Sequence, residues 1–410
     1  MPDGSNPQGR DGRRRPDPST LGLGAAVVAL IVAISIVNAN TPSSQPAVAA
    51  PGPNLPPNTL TVSQSDCGSN WTQPRTGPQN LMIANIGDAP AEADLVDVAS
   101  GKVLGEVEGL GINTSEAMRV TLGPGAYALR CLIEDIDPIM GPTVHVAGSG
   151  TSSPGVVPVS NADLLDPLKQ YTAYVISGVA DLVTTTDALQ TAVHSGNLGA
   201  ARAAWLPAHL AYERLGAAYD AFGDSDGALN GTADGLPAGP ADPGFTGFHR
   251  LEQGLWHGED LGALAAVADR LDTDARALQA SFGGSQVDGN DLGLRAHEIM
   301  ENTLQFELTG RTDYGSGTTL ATARANLDGT RAVLDVLRPL LAPRYPELSK
   351  VDSWLTRTQS ALDAAHRPDG SWTPLAQLSQ PQRQKLNADV GELTELLAPI
   401  AAIAEPRRVS

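Results

Sequence analysis

The pattern of apolar residues changes once along this chain, close to residue 160. Before that point, from about residue 59, short β-type runs alternate with turn signals such as Gly123-Pro124-Gly125, which is typical of a small sandwich. After it, Ala- and Leu-rich segments with few β-branched residues repeat at the helical period. Strands that precede helices in this way pack as separate units. The sequence therefore predicts an α+β protein of two domains, a β-sandwich followed by an all-α helical bundle.

The same periodicities give approximate bounds for the elements. Strand-like runs are predicted at 60–62, 80–84, 117–122, 126–132 and 143–146. Helices are predicted at 162–195, 198–222, 247–256, 261–281, 292–308, 320–341, 345–366 and 381–404. Stretches without periodicity at 38–58 and 148–160 are typical of linkers. We therefore expect a β domain over 59–147 and a helical domain over 161–410.

The N-terminal segment indicates export. Arginines at positions 10 and 13–15 precede an uncharged apolar run over 21–37. As a helix this run would span about 25 Å, a little less than the roughly 30 Å hydrocarbon core, so it lies between a signal segment and a transmembrane anchor. Residues 1–20 should remain in the cytoplasm. We expect the rest at the extracytoplasmic face of the cell membrane, either anchored there or secreted after cleavage.

Charge and cysteine content narrow the function further. The chain has 46 Asp and Glu against 27 Lys and Arg, a net charge of −19. Such an acidic surface repels phosphate backbones, so no nucleic-acid partner is expected. Cys67 and Cys131 are the two cysteines of the sequence, and both lie in the segment expected to be exported. An oxidising compartment favours a disulfide between them, and a thiolate metal ligand is the alternative.

The sharpest local motif is an H-x-x-E pair, His249 and Glu252, which follows the helix breakers at 242–244. Residues three apart share one face of a helix, so both side chains could bind one cation. Alone, this spacing is more often a surface or capping pair. The surrounding sequence must decide between the two interpretations.

That context consists of three phrases in a fixed order. They are Tyr212-Glu213-Arg214 on a Pro-containing helix, Asp224-Ser225-Asp226-Gly227, and the stretch 242–252, DPGFTGFHRLE. Together they resemble the imelysin-like (peptidase-M75-like) domain of EfeO-type iron-uptake proteins. The phrases LRPL at 337–340 and YPEL at 345–348 are similar to that family as well, and Cys67 with the YALRC stretch at 127–131 resembles its cupredoxin-like domain. The resemblance covers about residues 59–404.

The resemblance implies a cupredoxin-like β-sandwich and an imelysin-like bundle that bind iron, or another divalent metal, outside the cytoplasm. The implied role is capture of the ion for the membrane iron permease of an EfeUOB-type system, which also has a haem peroxidase partner. Glu213, His249 and Glu252 match the motif positions of the family's metal site. Imidazole nitrogen and carboxylate oxygen suit first-row metals. Further candidate ligands are His209, Asp224, Asp226 and Glu301.

Three departures from the family pattern favour other interpretations. Gly216, Asn230 and Arg311 stand where the family has acidic residues. The site is therefore altered or weakened, and a cell-surface binding module with a degenerate metal site is an alternative. A metallopeptidase is a further one, because imelysin-like proteins have been grouped with peptidases. Zinc-protease motifs need a second His close by, and Gln253 follows the H-x-x-E pair instead. We therefore expect that the protein is not an enzyme.

Overall fold

The computed structural model describes residues 59–283 and 287–408. It confirms the predicted class, with sheets over 59–146 followed by helices over 161–404. The expected cytoplasmic, membrane and linker segments of the N-terminus lie outside the described residues. Within the described ranges, no helix is both long and apolar enough to cross a bilayer.

Two sheets pack face to face in the β domain. The strands are β1 (Thr59–Ser63), β2 (Asp66–Cys67), β3 (Gly77–Asn85), β4 (Ala91–Asp97), β5 (Val103–Leu110), β6 (Ser115–Leu122), β7 (Gly125–Ile133), β8 (Ile139–Met140) and β9 (Val144–Val146). One sheet has the order β2-β1-β3-β6; the other has β5-β4-β7-β8, with β9 also paired to β7. Alternating apolar side chains such as Leu60, Ile83, Leu95 and Leu129 fill the space between them.

Strands β4 and β5 were not predicted, because acidic residues and glycines interrupt their apolar pattern. The clearest case is Asp94, which is buried in the middle of β4. Arg130 on the neighbouring β7 donates from Nε to its carboxylate at 3.0 Å. A buried charge is tolerated when it is paired in this way, so a strand could form where the sequence pattern gave none.

The predicted disulfide is confirmed. Cys67 on β2 and Cys131 on β7 are bonded, with their Cα atoms 5.8 Å apart. The bond joins the two sheets, since β2 and β7 belong to different ones. Both sulfur atoms are part of the disulfide, so the alternative of a thiolate metal ligand is wrong.

The second domain is a bundle of long helices. They are α1 (Asn161–His194), α2 (Leu198–Glu213), α3 (Tyr219–Phe222), α4 (Asp224–Asn230), α5 (Gly247–Trp256), α6 (Leu261–Phe282), α7 (Gly289–Asn302), α8 (Thr319–Leu341), α9 (Leu348–Asp363) and α10 (Gln380–Ala404). Helix α1 packs on α2 and α6, while α10 packs on α7 and α9. A wider, π-type turn at Thr303–Glu307 prolongs α7.

Two local predictions in this domain were wrong, and both errors lie next to the predicted site. The helix predicted over 198–222 ends at Glu213, and a tight turn at Gly216–Ala218 follows. Glycine disfavours helix, and this one lets the backbone approach Ile299 closely, because an added Cβ would lie 3.0 Å from that side chain. The D-x-D-G phrase, where no helix was predicted, forms α4, whose first turn carries Asp224 and Asp226. Acidic residues stabilise a helix N-terminus.

Candidate metal centre

Helix α2 supplies a buried His–Glu pair. His209 and Glu213 are one turn apart and therefore share a face. Nε2 of His209 lies 2.9 Å from Oε1 of Glu213, and the residues are 2% and 6% exposed. Within the described part of the chain, Nδ1 of His209 is buried without a hydrogen-bond partner.

Two amides complete the surroundings of Glu213. Asn230, at the end of α4, donates to Oε1 of Glu213 at 2.8 Å and has its own amide oxygen 3.2 Å from Nε2 of His209. Asn326 of α8, in the amide orientation that satisfies both of its ends, donates to Oε2 of Glu213 at 2.9 Å and accepts from Thr303 at 3.1 Å. Both carboxylate oxygens are thus fixed in position.

Helix α5 supplies the second pair. Nδ1 of His249 lies 3.5 Å from Oε2 of Glu252, and both side chains are buried. Oε1 of Glu252 accepts a hydrogen bond from the backbone N–H of Ser316 at 3.0 Å. Glu252 therefore stands between the imidazole and the loop that precedes α8.

Close backbone packing sets the position of α5. Gly247 begins the helix with φ +78°, and a Cβ there would lie 2.1 Å from the carbonyl oxygen of Leu229, so only glycine allows α4 and α5 to approach this closely. The indole of Trp205 on α2 donates to the carbonyl of Phe248 at 3.0 Å. These contacts hold α2, α4 and α5 together, and the rings of His209 and His249 are 5.3 Å apart.

One member of each pair lines a cavity of about 270 Å³. Glu213 and His249 both line it, as do Gly216, Asn230 and Asn326. Glu252 does not line this cavity, but it contacts His249, which does. The structure thus places all three predicted residues in the interior of the helical domain and brings two of them to a common space.

A buried acid that the sequence did not indicate also lines the cavity. Glu307 lies at the end of the wide turn after α7 and is 7% exposed. Its Oε1 accepts a hydrogen bond from Thr312 at 2.7 Å. Burial, followed by the negative charge of Glu213, raises the pKa of Glu307 well above the usual range of a carboxyl. No motif marks Glu307, and its direction depends on a turn that helical periodicity does not predict.

The pKa values of Glu213 and Glu252 shift in the opposite direction, downward. Burial alone would raise the pKa of Glu213, but the charge and hydrogen bond of His209 and the amide of Asn230 outweigh it and lower the pKa. Burial likewise opposes ionisation of Glu252, and the hydrogen bonds from His249 and Ser316 lower its pKa overall. Hydrogen bonds to the charged form act in this direction. Both carboxylates are therefore favoured in the ionised form, and that of Glu213 lines the cavity.

The remaining candidate ligands lie elsewhere. Asp224 is exposed, Asp226 accepts the hydroxyl of Tyr212, and Glu301 lies 3.9 Å from His297. None of these three lines the cavity. Over 59–283 and 287–408, no three His, Cys, Asp or Glu side chains stand together as a ready-made metal-binding group. The donor types around the cavity nevertheless fit a first-row metal, since imidazole and carboxylate are its usual ligands.

The fold and the site define the class of protein. It has a disulfide-bonded β-sandwich followed by a helical bundle with two buried His–Glu pairs beside a common cavity. The chain belongs to the imelysin family (Peptidase M75), whose model matches residues 167–400.

Relatives with assigned names align with both domains. The chain is 27% identical to the iron uptake system component EfeO of Yersinia pseudotuberculosis over 358 residues, which is 87% of this chain and 93% of the relative. It is 29% identical to the EfeO protein of Yersinia pestis over 345 residues, covering 84% and 90% of the two chains. For EfeO of Escherichia coli O157:H7 the identity is 28% over 357 residues, covering 85% and 92%.

Proposed function

We propose that this protein is an extracytoplasmic, non-enzymatic component of an iron-uptake system and that it binds an iron ion at the cavity between α2, α5 and α7. The observation that carries the proposal is that Glu213 and His249, from two different helices, line one buried cavity. The alignment with proteins named as iron uptake components supports it, because it extends over most of the chain.

The chemistry of the site suits transient binding of a cation. Glu213 has both oxygens held by amides, and His249 presents an imidazole to the same cavity. The carboxylate of Glu252 lies 3.5 Å from Nδ1 of His249 and would orient its ring, as carboxylates beside metal-binding imidazoles commonly do. Arg295 and Glu298, which form an ion pair and are partly exposed, line the cavity, so it reaches the surface near them. An ion could therefore enter and leave, as delivery to a membrane permease requires.

The expected partners follow from the same proposal. They are the metal ion itself, an iron permease and a haem peroxidase of the same uptake system, and the membrane through the N-terminal segment. A peptidase is less well supported, because the His249–Glu252 pair is followed by Gln253 and not by a second His.

A surface-binding module with a degenerate metal site is the second candidate. Two observations favour it: the described residues contain no ready-made group of three ligands, and Gly216, Asn230 and Arg311 replace acids of the family pattern. Arg311 instead forms an exposed ion pair with Asp234 at 2.7 Å.

Metal titration separates these functions. The full chain, freed of metal and kept in mild detergent because of its apolar N-terminal run, is titrated with Fe²⁺ under argon and then with Zn²⁺. We expect one Fe²⁺ site that is lost in His249→Ala and kept in His257→Ala, because His257 is exposed at the end of the same helix. Absence of Fe²⁺ binding by the unaltered protein would favour the surface module, and Zn²⁺-dependent peptide cleavage would favour the peptidase.

A further inference from the structure

We infer that Glu307 is an additional ligand of the metal ion, supplied from the same cavity that the positions of the missing acids, Gly216 and Asn230, also line. The inference rests on the proposed function, since it assigns one more residue to the same site. It concerns a side chain that no motif of the sequence marks.

The first observation is that Glu307 differs from the other buried acids in having no basic partner. Asp94 is paired with Arg130, Asp272 with Arg276, and Asp389 with both Arg357 and Lys385. Glu213 and Glu252 each have a histidine. Among the described residues, no Lys, Arg or His forms an ion pair with Glu307.

Burying an ionised carboxylate without a partner is expensive, and the fold gains little from an acid at this position. The hydroxyl of Thr312 is the hydrogen-bond donor to Glu307, and it could donate equally to the oxygen of a glutamine. Packing and hydrogen bonding therefore do not require a carboxylic acid at this position. A cation in the cavity would provide the missing partner.

The second observation concerns how the chain presents Glu307. The wide turn at Thr303–Glu307 replaces regular α-helix directly after α7, and such π-type turns occur frequently at functional sites. The resulting position lies on the cavity shared with Glu213 and His249. The turn thus adds an acid to the cavity that Glu213 of α2 and His249 of α5 also line.

The third observation is that the positions of the two missing acids, Gly216 and Asn230, cannot readily hold a carboxylate. Gly216 lines the cavity, but a Cβ there would lie 3.0 and 3.2 Å from two carbons of Ile299. Asn230 is engaged with both Glu213 and His209. A carboxylate that completes the coordination must therefore come from elsewhere, and Glu307 lies on the same cavity.

The test compares Fe²⁺ affinity in the full chain under argon for the unaltered protein, Glu307→Gln and Glu395→Gln. Glu395 is an exposed acid of α10 and serves as the matched control. We expect Glu395→Gln to bind like the unaltered protein and Glu307→Gln to bind about tenfold more weakly or worse, the loss typical when a metal site loses a supporting group.

The outcomes separate the two claims. Equal affinity of Glu307→Gln and the unaltered protein would overturn the role of Glu307 and leave the proposed function standing. Failure of the unaltered protein to bind Fe²⁺ would overturn both. A crystal of the unaltered protein soaked with Zn²⁺ provides a second measurement that needs no variant. A Glu307 oxygen at about 2.0–2.2 Å from the ion is expected, and a separation too long for coordination would reject the inference.

Discussion

Nε2 of His209 lies 2.9 Å from Oε1 of Glu213, and both residues are buried on one face of α2. This contact allows Glu213 to remain ionised in the bundle interior, because the charge and hydrogen bond of His209 counter the effect of burial on its pKa. The pair therefore contributes to the stability of the fold as well as to the chemistry of the cavity.

Replacing His209 by Ala should destabilise the helical domain by about 3 kcal/mol, since it leaves a buried carboxylate without its partner. Urea unfolding monitored by circular dichroism at 222 nm measures the effect. His297→Ala is the matched control: its 3.9 Å contact with Glu301 is partly exposed, so a change within about 0.5 kcal/mol is expected. Equal losses of unfolding free energy for the two substitutions would show that the buried His209–Glu213 contact stabilises the domain no more than the partly exposed His297–Glu301 contact.

The disulfide should stabilise the β domain and leave metal binding unchanged. Replacing Cys67 and Cys131 by Ser removes a cross-link between the two sheets, at a cost of about 2–5 kcal/mol. Calorimetry should show a lower melting temperature for the β domain alone, with Fe²⁺ affinity retained. Loss of Fe²⁺ binding in this variant would mean that the β domain participates in the metal site.

Asp163 should make the start of α1 sensitive to acid. It forms a capping box with Ser160, and the hydrogen bonds from the Ser160 backbone and side chain lower the pKa of Asp163. Because the pKa is lower in the folded state, the stabilisation is present above the pKa of the unfolded chain. It is lost as the pH falls through the folded pKa.

Asp163→Asn should therefore lower the free energy of unfolding at pH 7 by about 0.5–1 kcal/mol, the usual contribution of a cap. At a pH low enough to protonate the carboxyl in both states, the variant and the unaltered protein should differ little. Unfolding curves at the two pH values measure this, and a difference that stays constant with pH would contradict the assignment.

The sequence predicted the fold class and most of the helices because their apolar patterns are regular. The prediction from sequence failed where a tertiary contact overrides the local pattern. Asp94 lies in a strand, where its carboxylate is paired with Arg130. Helix α2 ends before Gly216, which packs closely on Ile299. At the site, the H-x-x-E spacing correctly placed His249 and Glu252 on one helix. Glu307 could not be predicted, because its position depends on an irregular turn. Its side-chain hydrogen bond with Thr312 follows no recognised sequence motif.

Glu252 allows the structural and metal-binding roles of the second pair to be separated. Its two oxygens contact different groups: Oε1 accepts from the backbone of Ser316 at 3.0 Å, and Oε2 lies 3.5 Å from Nδ1 of His249. Glu252→Ala removes both contacts in a buried site, so we expect this variant to lose stability as well as iron binding. A destabilisation of about 1–3 kcal/mol is expected from the unsatisfied groups.

Glu252→Gln is the sharper variant, because its amide oxygen can still accept from Ser316 while the negative charge behind His249 is lost. We expect near-normal stability and Fe²⁺ binding weaker by about 10–100-fold, the usual loss when a group that supports a metal-binding histidine is replaced. Glu259→Gln is the control: this acid pairs with Arg250 at the surface, with Nη2–Oε1 at 2.8 Å, and should leave affinity unchanged. If Glu252→Gln bound Fe²⁺ as tightly as Glu259→Gln, the carboxylate would serve only to anchor the loop before α8, and His249 would act without its support.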